Sequence, residues 1–202
     1  IITPPKGIIS TMEKIMDRFL WDDNDFGKAH WSSWARLVKP VEEGGVGLRE
    51  LNISMQSMQA RLAWDFLVGK LFWAKTLRIK YGKHWEDWNR RKLSRLGITV
   101  VFHLDIFQDL SCWVVGRGDV NLWWDNWHGE KLFFPGCPGL DLTVKEAWQH
   151  PRLLESITSP DQKKLVKDIV FSEDEDMIFF IEENSGVFNS YDYKGLIRQH
   201  GI

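Results

Sequence analysis

Cysteine is nearly absent from this chain. Two in 202 residues, Cys112 and Cys137, are too few for a disulfide scaffold or a four-cysteine zinc site, and such a chain belongs by default in a reducing compartment, nuclear or cytoplasmic. No apolar run reaches the roughly 18 residues of a membrane helix, and no charged-then-apolar leader opens the sequence, so no membrane partner is expected. The histidines His30, His84, His103, His128, His150 and His200 are scattered; none stands at metal spacing to a cysteine or to another histidine. Cys112, His128 and Cys137 are the one set that could converge on a metal. No nucleophile elbow is visible, and Gly116-x-Gly118 lacks the third glycine and following helix of a dinucleotide site. No catalytic residue, metal site or cofactor is therefore assigned. The chain opens on Ile1, which leads us to expect a piece of a longer protein.

Tryptophan, by contrast, is in excess: twelve residues, within a composition of 44% apolar and 27% charged residues that is otherwise ordinary for a globular protein. A chain of this length buries roughly 70% of its unfolded surface. The net charge of −2 conceals an asymmetry: residues 1–100 hold 17 Lys/Arg against 11 Asp/Glu, and residues 101–202 hold 9 against 17. Within 70–95 stand nine cations, Lys70, Lys75, Arg78, Lys80, Lys83, Arg90, Arg91, Lys92 and Arg95, opposed only by Glu86 and Asp87. Trp73, Tyr81, Trp85 and Trp88 are interleaved with them. Two readings are open. The cations and rings could serve a phosphate backbone and unstacked bases, or the stretch could be a solvated helix face whose aromatics point to the core. The acidic run Glu173–Asp176 reads as a solvated loop, since a metal would need converging ligands that a run alone does not supply.

Periodicity predicts a mainly α (α+β) chain. Ile8, Met12, Ile15, Met16, Phe19 and Leu20 recur at helical spacing. A short buried segment is expected over Trp31–Val38, and a turn-rich loop over Glu42–Gly47. Asn52 is a candidate N-cap for the strongest helix, with Leu51, Met55, Met58, Leu62 and Phe66 on one face and Gly69 ending it. A helix over Leu71–Tyr81 follows, and 82–98 reads as irregular. Residues 111–127 are expected to form a β-hairpin about Gly116-Arg117-Gly118-Asp119. Short helices over Val144–His150 and Asp161–Val170, a second hairpin over 178–188 and a final helix from Ser190 complete the reading. The expected division is a helical unit over 1–100 and a unit with two hairpins and short helices over 101–202.

Three motifs have simple explanations. Leu20-Trp21-Asp22-Asp23 is faintly like the paired-aspartate signature of polymerases, but it follows an amphipathic helix with no strand pairing, and it reads as a polar loop. Arg117-Gly118-Asp119 is taken as a turn. Asn52-Ile53-Ser54 is a formal glycosylation acceptor at a helix start, without a secretory context.

Several strings in order resemble plant non-LTR (LINE-type) retrotransposon polyproteins. These are Phe19-Leu20-Trp21 with Lys28-x-His30-Trp31-x-x-Trp34; Lys39-Pro40 with Gly44-Gly45-Val46-Gly47-Leu48-Arg49; Asn52 with Leu62-Ala63-Trp64; Trp73 with Lys80-Tyr81; Trp113-x-Val115-Gly116-x-Gly118 with Trp123-Trp124-Asp125-Asn126-Trp127; and Gly186-Val187-Phe188-Asn189 through Tyr193 and Leu196. Together they cover nearly the whole chain and are similar to the region between the reverse transcriptase domain and its zinc-binding domain. Trp21, Trp31, Trp34, Gly44, Gly45, Gly47, Trp64, Trp113, Gly116, Gly118, Trp123, Asp125 and Trp127 stand at motif positions and are assigned structural roles. Ile181-Glu182 and Asn189 depart from the pattern, as in a drifting copy.

The resemblance implies that the polymerase's paired aspartates lie upstream of Ile1, and that a zinc-binding domain and any RNase H domain lie downstream of Ile202. It implies a catalytically silent, thumb-like helical region that grips an RNA or DNA duplex by its backbone, through Lys70, Lys75, Arg78, Lys80, Lys83, Arg90, Arg91 and Lys92. Two other classes compete with that reading. One is a scaffold that docks the zinc-binding or RNase H domain and binds no nucleic acid. The other, suggested by tryptophan content alone, is a carbohydrate-binding module.

Overall fold

The computed structural model describes residues 4–21, 32–82, 85, 88–129, 132, 141–155, 157, 159–182 and 184–200. They are mainly helical, with one small antiparallel sheet. The helices are α1 (Lys6–Trp21), α2 (Trp34–Leu37), α3 (Leu51–Val68), α4 (Phe72–Tyr81), α5 (Arg95–Leu110), α6 (Val144–Gln149), α7 (Pro151–Leu154), α8 (Pro160–Lys167) and α9 (Ser190–His200); the strands are β1 (Ser111–Val114) and β2 (Met177–Phe180). None of the described helices is long and apolar enough to cross a membrane. The chain divides into two compact units, Ile1–Ala60 with Ser190–Ile202, and Arg61–Asn189. Residue 100 lies within α5.

In the first unit, α1 has the extent its periodicity predicts, and Trp21 closes it by donating from Nε1 to Asp17, one turn back. Trp31 lies outside the described residues. Trp34 opens α2, and Leu37 and Val38 are buried after it. The glycine-rich loop then folds back on this segment: Val46 and Leu48 N–H donate to the Leu37 carbonyl, and Gly47 N–H donates to that of Lys39. At Gly45 a Cβ would collide with the Lys39 carbonyl, so this close approach requires glycine. Gly44, just before it, ends a 3-10 turn over Val41–Glu43 in the left-handed conformation. Asn52 is not the N-cap of α3. The helix already begins at Leu51, and Ser54 N–H reaches back to the Glu50 carbonyl, leaving Asn52 exposed in the first turn.

The second unit holds two packed clusters. In one, Trp64 stacks on Phe188 (centroids 5.4 Å apart, interplanar angle 24°) and meets Phe107 and Phe180 edge-on, a geometry that matches ring quadrupoles as well as burying area. In the other, Leu122, Trp123, Val144, Ala147 and Val166 are fully enclosed, with Trp127 beside them.

Two expectations are corrected here. α5 takes in residues 95–98, the end of the stretch read as irregular, and continues to Leu110. Ser94 caps it by accepting from Gly97 N–H, and Val100, Val101, Leu104 and Phe107 form its buried face. The β-branched run Ile98–Val101 obscures the helical pattern, because such residues lower intrinsic helix propensity while suiting a buried stripe. The hairpin at 111–127 does not form either. β1 pairs with β2, with Ser111 opposite Phe180 and Val114 opposite Met177. Residues 121–125 coil into a turn instead: the Asn121 side chain accepts from Trp123 and Trp124 N–H, and Asp125 accepts from Asn121 N–H. Their backbone joins 142–144, through Leu122 N–H to Leu142 O and Val144 N–H to Val120 O. Among the described residues of the second hairpin, Phe180 N–H donates to Gly186 O, and Val187–Phe188 is not assigned to a strand.

His103, on α5, is 1% exposed, and burial holds its imidazole down at about 4. An unfolded histidine titrates near 6.5, so below that pH the unfolded chain binds a proton that the native chain refuses. The associated stability is fully present above about pH 6.5 and is lost as pH falls toward 4. A loss of about 2 kcal/mol between pH 6.5 and 5 is expected, and His103→Gln should flatten that slope when urea midpoints are followed against pH. An equal slope in the variant would assign the loss to other groups.

Candidate nucleic-acid interface

The cations expected to contact nucleic acid separate by environment. Lys75 and Lys80 lie on the solvent side of α4, alongside the strongly exposed Phe72 and Ile79. Arg91 and Lys92 are exposed on a 3-10 turn over Arg90–Lys92, whose start is tied by the Asn89 side chain accepting from Arg91 N–H. Arg95, at the start of α5, is exposed as well. Lys70 is exposed just past the left-handed Gly69 that ends α3, and pairs with Glu175 at 3.5 Å. Lys83 lies outside the described residues, as does the side chain of Arg90.

Arg78 is different. Its guanidinium donates to the Phe66 and Leu67 carbonyls (2.9 and 3.4 Å) and lies over the Phe66 ring, 4.9 Å from its centroid. It satisfies carbonyls that the end of α3 leaves without helical partners. Burial lowers its affinity for the proton, and the carboxylate of Asp125 partly restores it. Arg78 therefore ties α4 to α3.

Most of the aromatics between these cations face inward. Trp88 is buried, meets Phe66 edge-on and donates from Nε1 to the Gly82 carbonyl; Trp73 packs beside Phe66. Tyr81 rests on Trp88 and accepts from Ser94 N–H at 3.1 Å. The hydrogen bonding with Ser94 and the neighbouring Lys80 bring its phenol down to about 8. Core-facing rings and solvent-facing cations thus coexist on α4 and the segment after it.

Beside this face lies an open cavity of about 350 Å³. Its charged lining is balanced, Lys70, Lys75, Arg78 and Arg117 against Asp119, Asp125, Glu175 and Asp176. Trp85, Trp113 and Trp124, all half-buried, contribute its aromatic surface. Exposed ion pairs run along the rim: Glu175 meets Lys70 at 3.5 Å and Arg117 Nη2 at 3.2 Å.

The wall carrying Trp113 and Arg117 is shaped by a side chain the sequence reading left in a solvated loop. The Asp176 carboxylate accepts four backbone N–H groups, from Gly116 (2.6 Å), Gly118 (2.9 Å), Asp119 (2.5 Å) and Val120 (3.0 Å). Successive N–H groups converging on one anion form a nest. Gly118 makes this possible with φ +84°, and a Cβ there would strike the Phe171 ring. Arg117-Gly118-Asp119 is accordingly a nest loop rather than a hairpin turn. Glu173, Asp174 and Glu175 are solvent-exposed as expected. The Trp-Trp-Asp-Asn-Trp motif locks the next turn: Trp127 Nε1 donates to the Leu122 carbonyl, and Asn126 donates to Ser111 O and accepts from Gly129 N–H.

Sequence reasoning missed Asp176, Arg117, Glu175 and Trp124 as parts of one site. The only linear signal was the Gly-x-Gly spacing, which marks an N–H-rich loop without saying which anion fills it. Of the set Cys112, His128 and Cys137, Cys137 lies outside the described residues. Among those described, no group of three or more His, Cys, Asp or Glu is placed to hold a metal ion.

The chain is distantly similar to a protein of Arabidopsis thaliana named "Putative ribonuclease H protein At1g65750", with 23% identity over 136 residues. The match covers 63% of this chain and 22% of that protein, so the chain spans about a fifth of the relative's length. No family model matches the chain, and no solved structure matches it significantly.

Proposed function

We propose that this chain is a catalytically silent segment of a retrotransposon reverse transcriptase-like polyprotein, lying between the polymerase and zinc-binding domains, and that it holds nucleic acid by the backbone. The observation that carries the binding is the set of solvent-facing cations Lys70, Lys75, Lys80, Arg91, Lys92 and Arg95, of which Lys70 pairs with Glu175. Backbone contacts position a duplex without reading its sequence, so binding should be indifferent to sequence and strongly dependent on salt.

With about five phosphate contacts, log K should fall against log[salt] with a slope near −4.5 for duplex DNA. Lys75→Ala with Lys80→Ala should flatten that slope by about 2. Arg78 is left out of this test because its removal would strip the end of α3 of its partner. Fluorescence anisotropy across a salt series measures the slope, and an unchanged slope in the double variant would remove α4 from the interface.

A docking role without nucleic-acid binding has its own support. On α1, the residues Ile8, Met12, Ile15 and Phe19 form an exposed apolar stripe. Contiguous exposed apolar surface often marks an interaction site. That reading predicts no duplex binding even at low salt.

A further inference from the structure

We propose that the cavity beside α4 takes one unpaired nucleotide, its base among Trp85, Trp113 and Trp124 and its phosphate between Lys70 and Arg117. This rests on the reading of the basic face as a nucleic-acid surface and adds to it a preference for single-stranded over duplex ends.

Size and aromatic surface favour this ligand, and its phosphate must find cations in a lining where Lys70, Lys75, Arg78 and Arg117 are matched by Asp119, Asp125, Glu175 and Asp176. A volume of about 350 Å³ falls at the small end of ligand pockets, room for one nucleotide and too little for a base pair with its backbone. Three half-buried tryptophans line the one cavity, and stacking on indole rings accepts any base. Lys75 lines the cavity and also belongs to the exposed row of α4, so a strand tracking that row passes the cavity mouth. On the inner wall, Arg78 Nε is buried without a hydrogen-bond partner among the described residues. It is a donor that a base carbonyl or ring nitrogen could satisfy.

The rim indicates where the phosphate goes. Glu175 holds Lys70 with one carboxylate oxygen and Arg117 with the other, at 3.5 and 3.2 Å. An anion is thus already placed between the two cations. It is exposed, and exposed ion pairs of this kind are weak. A phosphate can displace it at Arg117 Nη2, while Arg117 Nε stays beside Asp119 at 4.0 Å. Glu175 accordingly competes with the ligand, so removing its charge should tighten binding. A residue that merely braced the loop would not behave this way.

The test uses the full 202-residue chain with a single-stranded DNA of about 12 nucleotides and the matching duplex. Glu175→Gln is expected to raise single-strand affinity about threefold. Trp85→Leu is expected to lower it about tenfold while leaving duplex affinity unchanged. A single strand carrying 5-iododeoxyuridine, irradiated in the complex, should leave its adduct on a peptide containing Trp85, Trp113 or Trp124. Adducts confined to other peptides, an unchanged or weakened Glu175→Gln variant, or a Trp85→Leu variant that loses duplex and single strand equally would each overturn the cavity assignment. Salt-sensitive duplex binding with no single-strand preference would sink the cavity alone. Failure to bind either form would sink the basic face as well.

Discussion

Replacing Asp176 by alanine is expected to destabilise the Arg61–Asn189 unit by about 3 kcal/mol. Four backbone donors converge on this one carboxylate, from Gly116, Gly118, Asp119 and Val120. Hydrogen bonds to an ionised acceptor are stronger than neutral ones, and donors stranded away from water cost more than the bond itself contributed. Gly116 and Val120 are buried, so water cannot fully replace the lost oxygens there, whereas Asp119 is exposed and loses little. Asp176→Asn keeps one acceptor oxygen and should lose about half as much. The control is Glu173→Ala, three residues away and exposed, with an expected change within about 0.5 kcal/mol. Urea unfolding at constant m-value compares the three. If Asp176→Ala matches Glu173→Ala, the nest contributes nothing to stability. The cavity should respond with the fold, because the same loop carries Arg117 and Asp119.

Trp123→Ala is expected to cost about 4 kcal/mol, the range for deleting a large aromatic from a closed core. The indole is fully buried among Leu122, Val144, Ala147 and Val166. Those neighbours come from a tight turn and two separate helices, α6 and α8, and cannot all collapse into the space left behind. Trp148, in the same unit, is 46% exposed and meets Phe171 edge-on. Trp148→Ala should therefore cost about 1 kcal/mol or less. Equal losses at the two positions would mean that tryptophan content, and not burial, governs stability in this unit.

Local signals were readable wherever a residue acts on its own neighbours. The periodicity of Ile8 to Leu20 located α1, and Gly69 ends α3 in the left-handed conformation. Thr143 and Glu146 build a reciprocal capping box that starts α6 within one residue of expectation. Asn52 misled because N-cap chemistry was inferred from residue type alone, while the helix starts one residue before it. α5 was hidden because Ile98–Val101 suits a strand by local preference and a helix by burial. Burial prevailed: Val100, Val101, Leu104 and Phe107 cover one face.

The basic stretch was legible as charge but not as geometry. Its sequence does not separate Arg78, bonded to the carbonyls at the end of α3, from Lys75 three residues earlier, which faces solvent. Nor does it show that Trp88 packs into the interior while Trp85 lines a cavity. The strand at 111–114 was visible, but its partner was not. A hairpin is the shortest closure, yet the side chains of Asn121 and Asp125 hold 121–125 in a turn and leave the edge of β1 to residues 177–180.

What the sequence determined by itself is therefore the helical character, the turn positions and the charge asymmetry, all set by interactions a few residues in range. The tertiary structure alone decided the pairing of β1 with β2, the capture of four N–H groups by Asp176 and the assembly of a cavity from α4, the Gly116–Val120 loop and Glu175. Those joins link residues some 60 positions apart, as in the bond from Gly116 N–H to Asp176. Such closures depend on which distant surfaces bury the most area and satisfy the most donors together, a sum over the whole unit that no local pattern contains.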